Sequence, residues 1–131
     1  MAQSLAKAGA HVVLNARDEK LLSERVKTLT EQGHSAQAAA FDVTHFEAAQ
    51  ACINDLKKQW GKIDILVANA GINHRQAIQD FDLENFEKVI NTNFKAIWVL
   101  CKAVTHLMVE KKNGRIILIG SMSAINARPS I

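Results

Sequence analysis

The segment Ile63-Asp64-Ile65-Leu66-Val67-Ala68-Asn69-Ala70-Gly71 gives the clearest indication of the fold class. The part from Ile63 to Ala68 is short and almost wholly apolar, and Asn and Gly follow it, which predicts a buried strand that ends in a turn. Similar runs occur elsewhere in the chain. Strands are therefore expected at His11 to Leu14, Ala36 to Phe41, Ile63 to Ala68 and Arg115 to Gly120.

Segments of helical periodicity separate these strands. Between Asp18 and Gln32 the apolar residues recur at helical spacing, and Gly33 follows as a left-handed cap. A second helix is predicted from His45 to Trp60 and is ended by Gly61. A short helix and then a long one, Asn93 to Lys112, fill the wider gap before the last strand.

The alternation of strands and helices determines the expected architecture. Each helix is long enough to return the chain to the same end of the sheet, so the strands are expected to be parallel and the crossovers right-handed. Continuous apolar strands flanked by helices indicate a sheet that is covered on both faces. The fold class is thus a doubly wound parallel α/β sheet, and no linker or second domain is apparent within residues 1–131.

The long helix carries two apolar faces. One is expected to cover the sheet and holds Phe94, Ile97, Trp98, Cys101, Val104 and Met108. The other holds Ala96, Leu100, Ala103 and Leu107. A helix that is apolar around much of its circumference is buried twice, either by a further layer of the same domain or by a second subunit. A homo-oligomer interface is favoured, because no other part of this chain is left to cover the second face.

Composition excludes several classes of partner. The chain has 131 residues, with 16 Lys+Arg against 13 Asp+Glu and a formal charge of +3, and these charges are spread along it, so nucleic-acid binding is not expected. No segment has the roughly 20 consecutive apolar residues that span a bilayer. The scattered histidines and two cysteines lack metal-ligand spacing, so no metal site and a reduced, cytoplasmic setting are expected.

The ends of the predicted strands locate the candidate site. Ligands of open parallel sheets bind beyond the carboxyl ends of the strands. The residues that follow the four strands are Asn15, Ala16 and Arg17, then Asp42 and Val43, then Asn69, Ala70 and Gly71, and finally Ser121. Each has a plainer interpretation, since Asp42 is also suited to cap a turn before Thr44, and Asn69 to serve the turn at Gly71.

Four segments, in this order along the chain, resemble the short-chain dehydrogenase/reductase family. They are Phe41-Asp42-Val43-Thr44, Leu66-Val67-Ala68-Asn69-Ala70-Gly71, Val89-Ile90-Asn91-Thr92-Asn93-Phe94 and Gly114-Arg115-Ile116-Ile117-Leu118-Ile119-Gly120-Ser121. The resemblance implies that Asp42 and Val43 contact the adenine of a dinucleotide, and that Asn93 and Ser121 belong to the active site. The chain is most similar to the sugar-acid members of the family and to the related 3-oxoacyl reductases.

Two departures from the family pattern predict a fragment. The segment Met1 to Ala10 resembles the back half of the family's first helix, but no glycine-rich turn precedes it. The chain also contains no tyrosine for the family's Tyr-x-x-x-Lys pair. The resemblance places a missing strand between those at His11 and Ile63, because the family sheet has the order 3-2-1-4-5. Residues 1–131 are therefore expected to form an incomplete dinucleotide-binding domain with two half-sheets. Ala68 also replaces a second asparagine that many relatives carry.

The resemblance implies hydride transfer between a nicotinamide and a carbonyl or secondary alcohol. Ser121 would hydrogen-bond the substrate oxygen, and Asn93, near a helix start, would hold a water in the proton relay. The plainer interpretations are a serine that satisfies a loop amide and an ordinary helix-start asparagine. His74 and Arg75 suit an anionic sugar acid, although loop residues of this kind are often merely solvated.

Charge indicates which cofactor is used. NAD-selective relatives carry an acidic residue where this chain has Ala16, and here Arg17 follows. A guanidinium binds a 2′-phosphate, so NADP is expected in preference to NAD. Arg17 is alternatively a solvated residue that enters a helix. The competing hypothesis for the whole chain is a non-catalytic nucleotide-binding or dimerisation module.

Overall fold

The structure is a computed structural model that describes residues 1–122 of the chain. It divides into two compact units, Met1–His45 and Phe46–Ile131. Each unit contains one two-stranded parallel sheet together with several helices. The prediction of two half-sheets is therefore confirmed, as is the parallel orientation of the strands.

The first unit consists of two helices and two strands, which are α1 (Ala2–Lys7), β1 (Val12–Ala16), α2 (Glu19–Glu31) and β2 (Ala36–Ala40). Strand β1 pairs with β2 from Val12 opposite Ala36 to Ala16 opposite Ala40. Asp18 is the N-cap of helix α2, and its side chain accepts a hydrogen bond from the Leu21 backbone N–H.

The second unit is mostly helical. It contains α3 (Phe46–Trp60), β3 (Ile65–Ala68), a 3₁₀ turn (Ile78–Asp80), α4 (Leu83–Ile90), a π-helical segment (Asn91–Lys95), α5 (Ala96–Glu110) and β4 (Arg115–Leu118). Strand β3 pairs with β4, with Ile65 opposite Arg115 and Ala68 opposite Leu118. The expected short and long helices are both present, but the π-helical segment joins them without a break.

The core of the second unit lies between α3 and α5. Its buried members are Ile53 from α3 and, from α5, Ala103, Val104, Leu107 and Met108. Ile63 and Leu66, before and within β3, pack against this cluster. Burial of each large aliphatic side chain contributes about 1.5–3 kcal/mol, so this cluster is the main source of stability for the unit.

One face of α5 differs from the prediction. Phe94 and Trp98, which were expected to cover the sheet, are 67% and 57% exposed. Val104 and Met108 of the same predicted face are buried as expected. Ala96, Ala103 and Leu107 of the second face are buried too, and Ala103 and Leu107 pack in the core with Ile53 of α3, so the expectation that nothing in this chain covers the second face is wrong. At about 100° per residue Trp98 lies about 120° around the helix from Val104, which places it outside the buried stripe.

The prediction that the sheet is covered on both faces is also wrong for β4. All four of its residues, Arg115–Leu118, are exposed, although three of them are apolar. Among the described residues β4 is hydrogen-bonded to β3 alone, and apolar composition by itself does not supply a covering layer.

Two further properties concern membranes and metals. Within residues 1–122 there is no helix that combines the length and the apolar character needed to cross a bilayer. Across the same range no three His, Cys, Asp or Glu side chains come together as a potential metal site.

Candidate active site

In the first unit the candidate residues meet at the carboxyl edge of the β1–β2 sheet. The strands end at Ala16 and Ala40, which are paired, so the residues after them emerge side by side. Nη1 of Arg17 lies 3.7 Å from Oδ2 of Asp42. The Arg17 side chain is 76% exposed, so its guanidinium is accessible to an anion at this edge.

Asp42 is held by the residues that follow it. Its Oδ1 accepts hydrogen bonds from the Thr44 backbone N–H at 2.8 Å and from the Thr44 hydroxyl at 2.7 Å. These two bonds hold the pKa of the Asp42 carboxyl below its usual value of 3.8, and the nearby charges of Arg17 and His45 lower it further. Asp42 thus caps a turn before Thr44, which was one of the two predictions for this residue. Val43, the next residue, is buried.

Asn15 fixes the geometry of this edge. The Nδ2 of Asn15 donates to the carbonyl oxygens of Ala39 at 2.8 Å and Phe41 at 3.0 Å. In the reverse direction, the Phe41 backbone N–H donates to the Ala16 carbonyl at 3.2 Å. These bonds hold the backbone on both sides of the Arg17–Asp42 pair. The strand-end rule had placed Asn15 in a loop, but it is the penultimate residue of β1.

In the second unit the candidate residues gather at the carboxyl edge of the β3–β4 sheet. Asn69, Ala70 and Gly71 follow β3, and Ser121 comes shortly after the end of β4. The Ile119 backbone N–H still donates to the Ala68 carbonyl at 3.0 Å, which extends the pairing toward Ser121. The Asn69 side-chain amide makes no hydrogen bond within residues 1–122, and its two interpretations, as a cofactor contact and as a turn residue, stay predictions.

Asn93 clamps the loop that follows Gly71. Its Oδ1 accepts from the Ile72 backbone N–H, and its Nδ2 donates to the Ile72 carbonyl, both at 2.8 Å. A Cβ at Gly71 would lie 3.6 Å from the same Oδ1. The expected position of Asn93 near a helix start is wrong, because α4 continues into the π-helical segment that carries it. Such segments are frequent at functional sites.

We expect Asn93→Ala to loosen the loop at Ile72. Each lost hydrogen bond contributes about 0.5–1.5 kcal/mol, so exchange of the Ile72 backbone N–H should accelerate about tenfold. Native-state hydrogen exchange measures this directly. The control is Asn91→Ala in the same segment, whose amide has no hydrogen bond within residues 1–122. Equal exchange rates in the two variants would show that the clamp does not stabilise the loop.

The loop after the clamp is tied by its own side chains. Nε2 of His74 is 2.9 Å from Oε1 of Gln76, and the Gln76 amide donates to the Asp80 carbonyl at 2.7 Å. The His74 ring also contacts Phe81 edge to face, with the ring centroids 5.3 Å apart. His74 is therefore engaged within the loop, whereas the neighbouring Arg75 is exposed.

The structure assembles the candidate residues in two groups. Arg17, Asp42 and Val43 lie in the first unit, and Asn69, Ala70, Gly71, Asn93 and Ser121 lie in the second. The strand-end rule missed Ile72, and it omitted Thr44, which was named only in the alternative interpretation of Asp42 as a turn cap. Ile72 acts only through its backbone, so no residue type could have marked it. Thr44, two residues after an aspartate, is a recognisable turn partner.

Polar groups at the carboxyl edges of parallel strands joined by helices define an α/β protein of the nucleotide-binding class. A family model described as short chain dehydrogenase matches residues 1–131, so the chain belongs to the short-chain dehydrogenase family. The family resemblance inferred from the four motifs is thereby confirmed.

Its relatives include sugar-acid enzymes. Over 131 residues, all of this chain, it is 36% identical to 5-keto-D-gluconate 5-reductase of Escherichia coli (strain K12), covering 52% of that protein. It is 34% identical to gluconate 5-dehydrogenase of Gluconobacter oxydans (strain 621H), again over all of this chain and 51% of that protein. The chain thus spans about half the length of the curated relatives it matches.

A solved structure shows the same relationship. Gluconate 5-dehydrogenase from Burkholderia cenocepacia J2315, in complex with NADP and tartrate, is 33% identical, with a TM-score of 0.92. The similarity covers 99% of this chain and 51% of that one. The fold is accordingly Rossmann-like, as expected from the alternation of strands and helices.

Proposed function

We propose that this chain forms part of an oxidoreductase that transfers hydride between NADP(H) and a carbonyl or secondary alcohol, with a sugar acid as the substrate class. The observation that carries the proposal is the accessible Arg17 guanidinium at the carboxyl edge of β1, within a chain that matches the family along its whole length. The relative with NADP and tartrate bound supports both the cofactor and an acidic polyhydroxyl substrate.

The residues of the first unit suit the adenosine end of NADP. An exposed guanidinium at a strand edge is suited to a 2′-phosphate, and Ala16 beside it brings no carboxylate that would repel one. Asp42 and Val43 would lie along the adenine. In the second unit, Asn69, Ala70 and Gly71 would line the cofactor, and the Asn93 clamp on Ile72 would hold their loop in place.

Ser121 would act on the substrate. When bound, the nicotinamide supplies or accepts the hydride. The Ser121 hydroxyl would donate a hydrogen bond to the substrate oxygen and stabilise the negative charge that develops there, a task for which preorganised donors are effective. Asn93 would act by positioning, because both ends of its side-chain amide are bonded to Ile72; a water in the proton relay would then use its main chain.

Arg75 would select an anionic substrate. It lies on the loop that follows Gly71, it is exposed, and its guanidinium suits a carboxylate. His74 on the same loop is engaged by Gln76 and Phe81, so we assign the substrate carboxylate to Arg75 alone.

The exposed aromatic face would bind a second copy of the chain. Phe86, Phe94 and Trp98 are at least half exposed, which is costly unless another surface covers them. Phe94 and Trp98 lie within Asn93 to Lys112, the segment predicted to form the interface, but on the face that was expected to cover the sheet, and Phe86 lies outside that segment, in α4. Lys102 lies 5.1 Å from the Trp98 ring centroid. A homo-oligomer and a cytoplasmic setting stay predictions.

The test uses the protein in a form that includes the family's glycine-rich turn and its Tyr-x-x-x-Lys pair. We expect oxidation of NADPH with 5-keto-D-gluconate, and slower oxidation of NADH. Residues 1–131 alone, which contain no tyrosine, are the control and should show no turnover. If the longer form binds NADPH but reduces no sugar-acid or 3-oxoacyl ketone, the result would favour the competing hypothesis of a non-catalytic nucleotide-binding module.

A further inference from the structure

The two carboxylate oxygens of Asp42 have different partners. Oδ1 is occupied by both hydrogen-bond donors of Thr44, at 2.8 and 2.7 Å. Oδ2 accepts no hydrogen bond among the described residues and lies 3.7 Å from Nη1 of Arg17. The Thr44 bonds therefore determine where the carboxylate sits, and the charge that remains at Oδ2 is directed at the guanidinium.

The contact between Asp42 and Arg17 is electrostatic only. At 3.7 Å it is longer than the 2.7–2.9 Å typical of a charge-assisted hydrogen bond, so it does not fix the orientation of the guanidinium. The Arg17 side chain is 76% exposed against 28% for Asp42, and an ion pair this open to water is weak. A ligand with a higher charge can therefore displace Asp42 from Arg17.

The backbone holds the two charges at this separation. Asn15 ties the carbonyls of Ala39 and Phe41 to β1, and Phe41 donates to Ala16, so neither strand end can drift. The pKa of Asp42 is lowered, chiefly by Thr44 and then by Arg17 and His45, so the carboxylate stays charged near neutral pH. A phosphate that binds Arg17 therefore also comes close to the negative charge of the Asp42 carboxylate, which Thr44 holds in place.

We propose that Asp42 is a specificity-determining residue that competes with a ribose 2′-phosphate for Arg17 and so limits the preference for the phosphorylated cofactor. This inference rests on the proposed function, in which Arg17 binds that phosphate. A phosphate monoester carries nearly two negative charges and binds the guanidinium more strongly than Asp42 does. Its binding is opposed by repulsion from Oδ2, a repulsion that an unphosphorylated ribose does not experience.

The test compares two nucleotides that differ only in the 2′-phosphate, 2′,5′-ADP and 5′-AMP. Their dissociation constants are measured by NMR titration of the Arg17 side-chain N–H signal and, for variants without that signal, of backbone amides at residues 39–45. The ratio of the two constants cancels any contact that Asp42 makes with adenine. Asp42→Asn keeps an oxygen acceptor for Thr44 and removes the charge, so we expect the preference for 2′,5′-ADP to rise about three- to tenfold.

Two further variants isolate the charge at this position. Asp42→Ser also removes the charge and retains an acceptor for the Thr44 backbone N–H, so it should raise the preference in the same way if Asp42→Asn does not fold. Asp82→Asn is the matched control, because Asp82 is likewise a capping carboxylate that accepts a backbone N–H, from Asn85. It should leave the preference unchanged.

The outcomes separate this inference from the proposed function. If Arg17→Ala lowers the preference for 2′,5′-ADP while neutral Asp42 variants leave it unchanged or lower it, the competition is overturned and the cofactor site stands. If the unsubstituted protein shows no preference, or Arg17→Ala does not change it, the proposed cofactor assignment is overturned together with the inference. If Asp82→Asn raised the preference for 2′,5′-ADP as much as Asp42→Asn does, the inference would also be overturned. The change in net charge alone would then explain both results.

Discussion

Replacing Ser121 with alanine is expected to lower kcat by about 10²–10³, measured in the longer form of the protein that carries the tyrosine and lysine of the family. The hydroxyl would stabilise charge on the substrate oxygen that is largest in the transition state. Loss of one such donor therefore slows the chemical step without weakening the binding of NADPH. Steady-state kinetics with 5-keto-D-gluconate, together with a separate titration of NADPH, measure the two effects.

The matched control for this variant is Ser23→Ala. Ser23 is an exposed residue of α2, and its hydroxyl would have no part in the reaction. It should behave like the unsubstituted protein in both assays. If kcat of Ser121→Ala stays within about twofold of kcat of the unsubstituted protein, the hydroxyl stabilises the backbone at the end of β4 and does not act on the substrate.

Arg17→Asp is expected to reverse the cofactor preference from NADP toward NAD. The guanidinium would contribute a charge-assisted hydrogen bond of about 1.5–3 kcal/mol to the 2′-phosphate, so the ratio of kcat/KM for the two cofactors should change roughly 10- to 100-fold. The new carboxylate would repel the phosphate and accept hydrogen bonds from the ribose hydroxyls of NAD. The measurement is kcat/KM for NADPH and for NADH with one substrate.

Arg25→Asp is the control for the change in charge. Arg25 is an exposed residue of α2 in the same unit, and the substitution alters the net charge by the same amount away from the strand edge. It should leave the ratio unchanged. An unaltered ratio in Arg17→Asp would show that Arg17 is a solvated residue at a helix entrance and that NADP selection lies elsewhere.

Local sequence patterns were sufficient to predict the strands and the main helices, and to place the candidate residues after the strands. Apolar runs identified all four strands, although β3 begins at Ile65 and β4 ends at Leu118, inside the expected bounds. Gly33 and Gly61 follow α2 and α3 with φ values of 81° and 70°, the left-handed conformation expected where a helix ends. Because parallel strands end at one edge, the polar residues after them were found without knowledge of any contact.

Three features of the site depend on tertiary structure. The clamp of Asn93 joins a side chain to the backbone of Ile72, and backbone groups have no signature in a sequence. Oδ1 of Asp42 contacts Thr44 and Oδ2 faces Arg17. The distance between Asp42 and Arg17 is set by the pairing of β1 with β2, which the sequence does not give. The π-helical segment was not predicted. The spacing of apolar residues looks the same whether two helices are separated by a break or joined by a π-helical turn.

Patterns along the chain were enough to identify the family, the order of the four strands and of the helices between them, and the residues at the strand ends, since each of these depends on neighbours in sequence. Packing between distant segments determines which face of α5 is buried and which groups Arg17, Asp42 and Asn93 contact. Periodicity shows that Phe94 and Trp98 belong to an apolar face, but burial requires another element to pack on that face. Within the described residues both side chains remain exposed, because the partner of a face is chosen by contacts between distant segments and not by the pattern on either one.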